Sequence, residues 1–356
     1  MASVDAVILV GGLGTRLRPL TLSAPKPMLP TAGVPFLEHL VARIREAGIT
    51  HIVLGTSYRA EVFAEHFGDG SRFGVELDYV VETTPLGTGG GIRNVAPALR
   101  GDTVLIFNGD NLITVDLRAL LDAHQQTGAD VTLTLTKVAD PSAFGCVPTD
   151  ADGRVLAFLE KAPAPVTDQI NAGLYVFDRA VVDTIPAAHP VSVERDTFPG
   201  LLASGADVYG YVGSYYWRDF GTPADFVLGS ADLVRGIAPS AALPGPTGDA
   251  LVLPGADVAP GALVRGGSTV GAGCVVEAGA DLYRSVLFDG ARVGAGAAVR
   301  RSVLGFGAVV AEGAVVEDAV IGDRASIGAG VELRHGVRVW PDVVLPAGSV
   351  RFSADA

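Results

Sequence analysis

Two cationic side chains, Arg16 and Lys26, flank a glycine-rich loop in a way suited to holding phosphate. The loop reads Gly11-Gly12-Leu13-Gly14-Thr15-Arg16-Leu17-Arg18-Pro19 and follows directly on a short apolar run. Glycines lack a Cβ, so their backbone can approach a polyphosphate closely and aim N–H groups at its oxygens. Arg16 adds a guanidinium able to grip phosphate through paired donors. Lys26 lies between Pro25 and Pro27, which pre-set an extended conformation, and a restrained lysine suits a phosphate clamp as much as it suits a solvated loop. The loop lacks the Gly-Lys-Ser/Thr ending of a P-loop and the glycine spacing of a dinucleotide fingerprint. Two aspartates complete the set. Asp110 follows a buried run in the turn Asn108-Gly109-Asp110, and Asp219 opens a loop in Trp217-Arg218-Asp219-Phe220-Gly221-Thr222-Pro223. Each fits a turn or helix cap, and each is also a hard oxygen donor of the kind Mg²⁺ takes, one or two carboxylates plus phosphate oxygens.

The run Gly11–Pro19 followed by Pro25-Lys26-Pro27 resembles the signature of nucleotidylyltransferases that activate sugar 1-phosphates. The stretch from Arg18-Pro19-Leu20-Thr21 to Pro27-Met28-Leu29-Pro30 is similar to that of the mannose-1-phosphate guanylyltransferases in particular. The resemblance implies a Mg²⁺-dependent enzyme joining GTP to mannose 1-phosphate with release of pyrophosphate. It implies that Gly11, Gly12, Gly14, Thr15, Arg16 and Lys26 bind the triphosphate, and that Asp110 and Asp219 hold the metal. It further implies that Lys161 contacts the sugar phosphate, that Glu160 and Asn171 hold sugar hydroxyls, and that Gly145 lets the sugar lie against the backbone. Asp219 joins that sugar-phosphate set. Glu82 and Gly87, in and before Pro85-Leu86-Gly87-Thr88-Gly89-Gly90-Gly91, match the segment against which the base lies. A carboxylate there can accept from guanine N1–H and its amino group together, whereas uracil and thymine offer one N–H. Asn111 departs from the pattern: thymidylyltransferases acting on glucose 1-phosphate tend to carry asparagine there, so a thymidylyl- or uridylyltransferase is the alternative.

Residues 4 to about 236 alternate short apolar runs with amphipathic stretches. The pattern predicts strands at 5–10, 51–55, 103–108 and 131–138, and helices at 36–47 and 117–127. This succession predicts an α/β, Rossmann-like domain with a mostly parallel sheet, whose ligand crevice lies at the carboxyl ends of its strands. From residue 258 onward, aliphatic residues recur every six positions: Val258, Val264, Val270, Val276, Leu282. The register slips by one and resumes at Leu287, Val293, Val299, then at Leu304, Val310, Val316, then at Ile321, Ile327, Leu333, Val339, Leu345. Six is neither a helical nor a hairpin period, and it predicts a left-handed β-helix of hexapeptide repeats. The expected domains are therefore a catalytic domain at 1–237, a linker at 238–254 and a β-helix at 255–356.

The 356-residue chain carries a formal net charge of −13, which disfavours a nucleic-acid partner. Two distant cysteines, Cys146 and Cys274, argue against a disulfide framework and for a cytoplasmic protein. No apolar run is long enough to span a membrane. Two other functions compete. A non-catalytic GDP-mannose-binding regulatory subunit would lose loop or metal residues, which this chain keeps. An acyltransferase activity of the β-helix would need a histidine base, and His335 is the only histidine in the repeats. The β-helix more naturally joins domains or subunits, so a homo-oligomer is expected.

Overall fold

The computed structural model describes residues 3–57, 59–161 and 164–351. The chain divides into two compact units, Met1–Gly12 with Leu40–Trp217, and Leu13–His39 with Arg218–Ala356.

The first unit is built on a nine-stranded sheet. Its strands are β1 (Val4–Leu9), β2 (His51–Thr56), β3 (Glu76–Val81), β4 (Thr103–Asn108) and β5 (Val131–Lys137). The others are β6 (Gly145–Cys146), β7 (Leu159–Glu160), β8 (Gln169–Asp178) and β9 (Val208–Val212). The order is β7-β6-β8-β4-β1-β2-β3, with β5 pairing β8 and β9. β1 lies between β4 and β2 and runs parallel to both, as its unbroken apolar run requires of a strand covered on two faces. The parallel expectation extends to β2 with β3 and to β5 with β9. β8 instead runs antiparallel to β4 and β5, and β6 runs antiparallel to β7 and β8. Residues 138–168 contain no helix among those described, so nothing there can make the crossover that a parallel neighbour needs.

Helices α1 (Phe36–Glu46), α2 (Ala60–Phe67), α3 (Gly87–Val95) and α4 (Leu117–Thr127) follow the first strands; α5 (Arg179–Thr184) and α6 (Phe198–Ser204) come later. The ends of α4 show why its bounds are legible. Asp116 caps the first turn through the N–H groups of Arg118 and Ala119, and Gly128 closes the last in a left-handed conformation.

In the second unit, residues 250–345 form three stacked parallel sheets of six, six and five strands, the architecture of a β-helix. Val270, Val276, Leu282, Leu287, Val293, Val299, Leu304, Val310, Val316, Ile321, Ile327, Leu333 and Val339 all pack into one core, with Val258, Val264 and Leu345 at its ends. The slips have a structural cause. Successive coils pair Thr269 with Val286, Val286 with Val303 and Val303 with Val320. Buried Ser268, Ser285 and Ser302 stack at the same interval, each Oγ accepting the N–H found 17 residues on, one short of three hexapeptides. The tightened corner places Arg284, Arg301, Asp318 and His335 at positive φ, one per coil.

Residues 13–39 pack with this β-helix and with α7 (Pro223–Val234). The Ala32 N–H donates to Ser230 Oγ at 2.9 Å, and the His39 ring lies between Thr31 O and Ser240 Oγ. Burial without a compensating charge lowers the His39 pKa to about 4. An aromatic file runs Phe36–Phe220–Phe226–Phe288–Phe306 at centroid spacings of 4.7, 6.1, 6.3 and 5.0 Å. No helix among the described residues is long and apolar enough to cross a membrane.

Candidate active site

The residues singled out in the sequence fall into two sets, one in each unit. Arg16, Lys26 and Asp219 belong to the second. Thr15–Leu17 and Lys26–Met28 are single 3-10 turns, which present side chains from irregular backbone. Lys26 Nζ stands 3.6 Å from Asp219 Oδ1, and Arg16 Nη2 stands 3.9 Å from Asp219 Oδ2. Lys26 is largely buried while Arg16 is mostly exposed, so a desolvated cation and a solvated one converge on one carboxylate. Thr21 Oγ1 donates to Gly14 O at 2.9 Å and Arg338 Nη1 to Arg18 O at 2.9 Å, tying both ends of the arginine turn.

The first unit carries the remaining residues. Gly11 and Gly12 continue from β1, and Val10 N–H donates to Gly55 O. Asp110 sits in the turn after β4. Gly109 makes that turn possible, since a Cβ there would lie 2.5 Å from Leu9 O. The turn is thus pressed onto the carboxyl end of β1. Glu160 pairs with Gly145 across β7 and β6, and Lys161 Nζ lies 3.8 Å from Glu160 Oε1. Burial raises the Glu160 pKa first, and the charge of Glu194 adds to it, while Lys161 and Arg195 pull it down. Asn171 donates through Nδ2 to the Tyr175 hydroxyl at 2.8 Å and accepts from Gly173 N–H at 3.0 Å. Glu82 accepts from Leu86 N–H at 3.3 Å just before Gly87 opens α3, and burial raises its pKa as well.

Glu194 and Arg195 were not anticipated from sequence. They lie on a π-helical turn, Val193–Thr197, a rare form that gathers at functional sites. Glu194 Oε2 accepts from Thr88 Oγ1 and Ser192 Oγ, each at 2.8 Å, and Thr88 Oγ1 accepts from Val193 N–H. Thr88 is on α3, so this carboxylate ties that helix to the π-helical turn, and its charge is felt at Glu160. The polar cluster Ser192-Val193-Glu194-Arg195-Asp196 before Phe198-Pro199 was the available signal.

Cationic side chains on a glycine loop, acidic residues at strand ends and a separate carboxylate–lysine pair suit transfer between two phosphate-bearing substrates. Residues 5–235 match the family described as "Nucleotidyl transferase", and residues 247–353 match "GMPPB C-terminal domain". The chain belongs to the nucleotidyl transferase family. Among curated relatives it is 61% identical to the mannose-1-phosphate guanylyltransferase of Mycobacterium tuberculosis, over 99% of this chain and 98% of that one. It is 37% identical to the mannose-1-phosphate guanylyltransferase catalytic subunit beta of Drosophila pseudoobscura pseudoobscura, over 63% and 61% of the two chains. Among solved structures it is similar to HddC from Yersinia pseudotuberculosis, at 28% identity and a TM-score of 0.58, over 65% of this chain and all of that one. HddC has also been solved in complex with GMP-PN.

Proposed function

We propose that this chain is a mannose-1-phosphate guanylyltransferase, transferring GMP from GTP to mannose 1-phosphate. The observation that carries the reading is the 61% identity with the M. tuberculosis enzyme, sustained through both units. An oxygen of the sugar phosphate attacks the α-phosphorus of GTP, the bond from that phosphorus to the β-phosphate oxygen breaks, and pyrophosphate leaves with the electron pair. The attacking oxygen is already anionic, so no serine, cysteine or histidine nucleophile is needed, and catalysis rests on positioning and charge neutralisation. Gly11, Gly12, Gly14 and Thr15 would cradle the triphosphate, with Arg16 and Lys26 neutralising it and the departing pyrophosphate. Lys161 would orient the attacking phosphate, and Glu160, Asn171 and the Gly145 backbone the sugar. Glu82 and Gly87 would receive the guanine.

Asp110 and Asp219 are the residues offered to a divalent cation, and their chemistry fits Mg²⁺. Both give hard oxygen donors, and the described residues hold no cage of three or more acidic, histidine or cysteine ligands of the kind a tighter-binding metal uses. When bound, Mg²⁺ supplies charge neutralisation to the phosphate oxygens. Two buried free cysteines support a cytoplasmic setting. The exposed Trp340 and Val344 on the last coil support a homo-oligomer built on the β-helix.

Pyrophosphate release with Mg²⁺ tests the reading, crossing GTP, dTTP, UTP, ATP and CTP with mannose and glucose 1-phosphates. Strong turnover with GTP and mannose 1-phosphate alone is the expected result. Preference for dTTP or UTP with glucose 1-phosphate would overturn the substrate assignment and the role given to Glu82.

A further inference from the structure

Asn111, the residue that departs from the family pattern, is buried with its amide turned to the protein interior. Its Nδ2 donates to Ala172 O at 3.2 Å, and Trp217 Nε1 donates to the same carbonyl at 2.9 Å. Ala172 lies where β8 leaves its register with β5, between Asn171 and Tyr175. Gly173 occupies the irregularity at a φ of +76°, and a Cβ there would stand 2.2 Å from Asn111 Nδ2. The amide therefore fills the space that a side chain at 173 would need. On either side of this fixed point, Asn171 is held by Gly173 N–H and by the Tyr175 hydroxyl. Bulges of this kind re-aim a side chain beside a functional site. The chain between Asn111 and the metal-directed Asp110 is one peptide bond long.

We propose that Asn111 is a positioning residue: by holding the Ala172 carbonyl it fixes the bulge of β8 and so aims Asn171 at the sugar, and it takes no part in choosing the base. Trp217 shares that work through its indole N–H, with its ring braced edge-on against Phe144 at 5.2 Å. The inference rests on the assignment of Asn171 to the sugar. It also accounts for asparagine at 111 without reference to nucleotide preference, because the amide has its partner inside the protein.

The test is steady-state kinetics of Asn111→Ala, Trp217→Phe and Asn171→Ala in the full-length chain, with each KM measured separately and thermal melting recorded beside it. Asn111→Ala should raise the KM for mannose 1-phosphate about tenfold and leave the KM for GTP within about twofold. Trp217→Phe removes the second donor to the same oxygen and should move the sugar-phosphate KM in the same direction. It carries the test if Asn111→Ala does not fold. Asn171→Ala separates the two layers of the argument. If it raises the sugar-phosphate KM while Asn111→Ala and Trp217→Phe do not, the positioning role is overturned and the sugar assignment stands. If Asn171→Ala leaves that KM unchanged, both fall. A shift in GTP KM or in nucleotide preference equal to that for the sugar would also overturn the proposal.

Discussion

The two units hold their candidate residues by different means. In the first unit, Asp110, Glu160 and Asn171 stand on or directly after strands of one continuous sheet, where main-chain ladders fix their origin. In the second, Arg16 and Lys26 project from 3-10 turns of three residues each, outside any sheet. Those turns owe their shape to packing: Ala32 on Ser230, Phe36 on Phe220, and Arg338 on the Arg18 carbonyl. A regular sheet supplies rigidity locally, whereas an irregular loop must borrow it from residues distant in sequence. In this chain residues 218–356 supply that support.

The sharpest way to break this contrast is to delete residues 238–356. The deletion exposes Phe226 and Ala231, which now meet Phe288 and Gly267, and removes Ser240 from the His39 ring and Arg338 from the Arg18 carbonyl. We expect complete loss of turnover and an aggregating product by size-exclusion chromatography. A monodisperse, active fragment would show that the loop is self-supporting. Next in size, Asp110→Ala should lower kcat by about a thousandfold in Mg²⁺, with circular dichroism recorded beside it to show that the fold is kept. Near-normal activity would remove Asp110 from the metal assignment. The smallest effect concerns pH. Burial and Glu194 raise the Glu160 pKa, so its carboxylate is lost at a higher pH than an ordinary glutamate's, and sugar binding weakens as pH falls toward that value. On folding the same shift opposes stability above the unfolded pKa and is relieved on acidification. The KM for mannose 1-phosphate should therefore rise as pH falls from 7 to 5, in step with protonation of Glu160. Glu160→Gln should retain only the slope due to the substrate's own phosphate, and an unaltered profile would argue against Glu160 as a sugar ligand.

Much of the scaffold was legible because its signals are local. Buried runs such as Val104–Phe107 read as parallel strands, and the six-residue aliphatic period survives every slip. The antiparallel course of β8 was not legible, since its apolar run Leu174–Phe177 is as continuous as a parallel strand's. The π-helical turn at Val193–Thr197 has no periodic signature either. Nothing in the composition of residues 13–39 announces that they pack with residues 218–356. Asn111 was visible as a departure, but its bond to Ala172 O depends on a bulge that no pattern in the chain marks. The roles of individual residues rested on motif resemblance, because contacts such as Lys26 with Asp219 join positions far apart in sequence.

The shortened coil of the β-helix has a consequence for how this region tolerates change in length. Each coil passes its hydrogen bonds to the next through fixed pairs; three in succession repeat a buried serine, and four a left-handed corner. The pairs Val286 with Val303 and Val320 with Arg338 differ in span by one residue yet feed one core, so a corner absorbs a single residue, whereas removing one entire coil returns the chain to an equivalent position. Small changes of length are thus a matter for the corners, and the whole coil is the unit by which the core grows or shrinks.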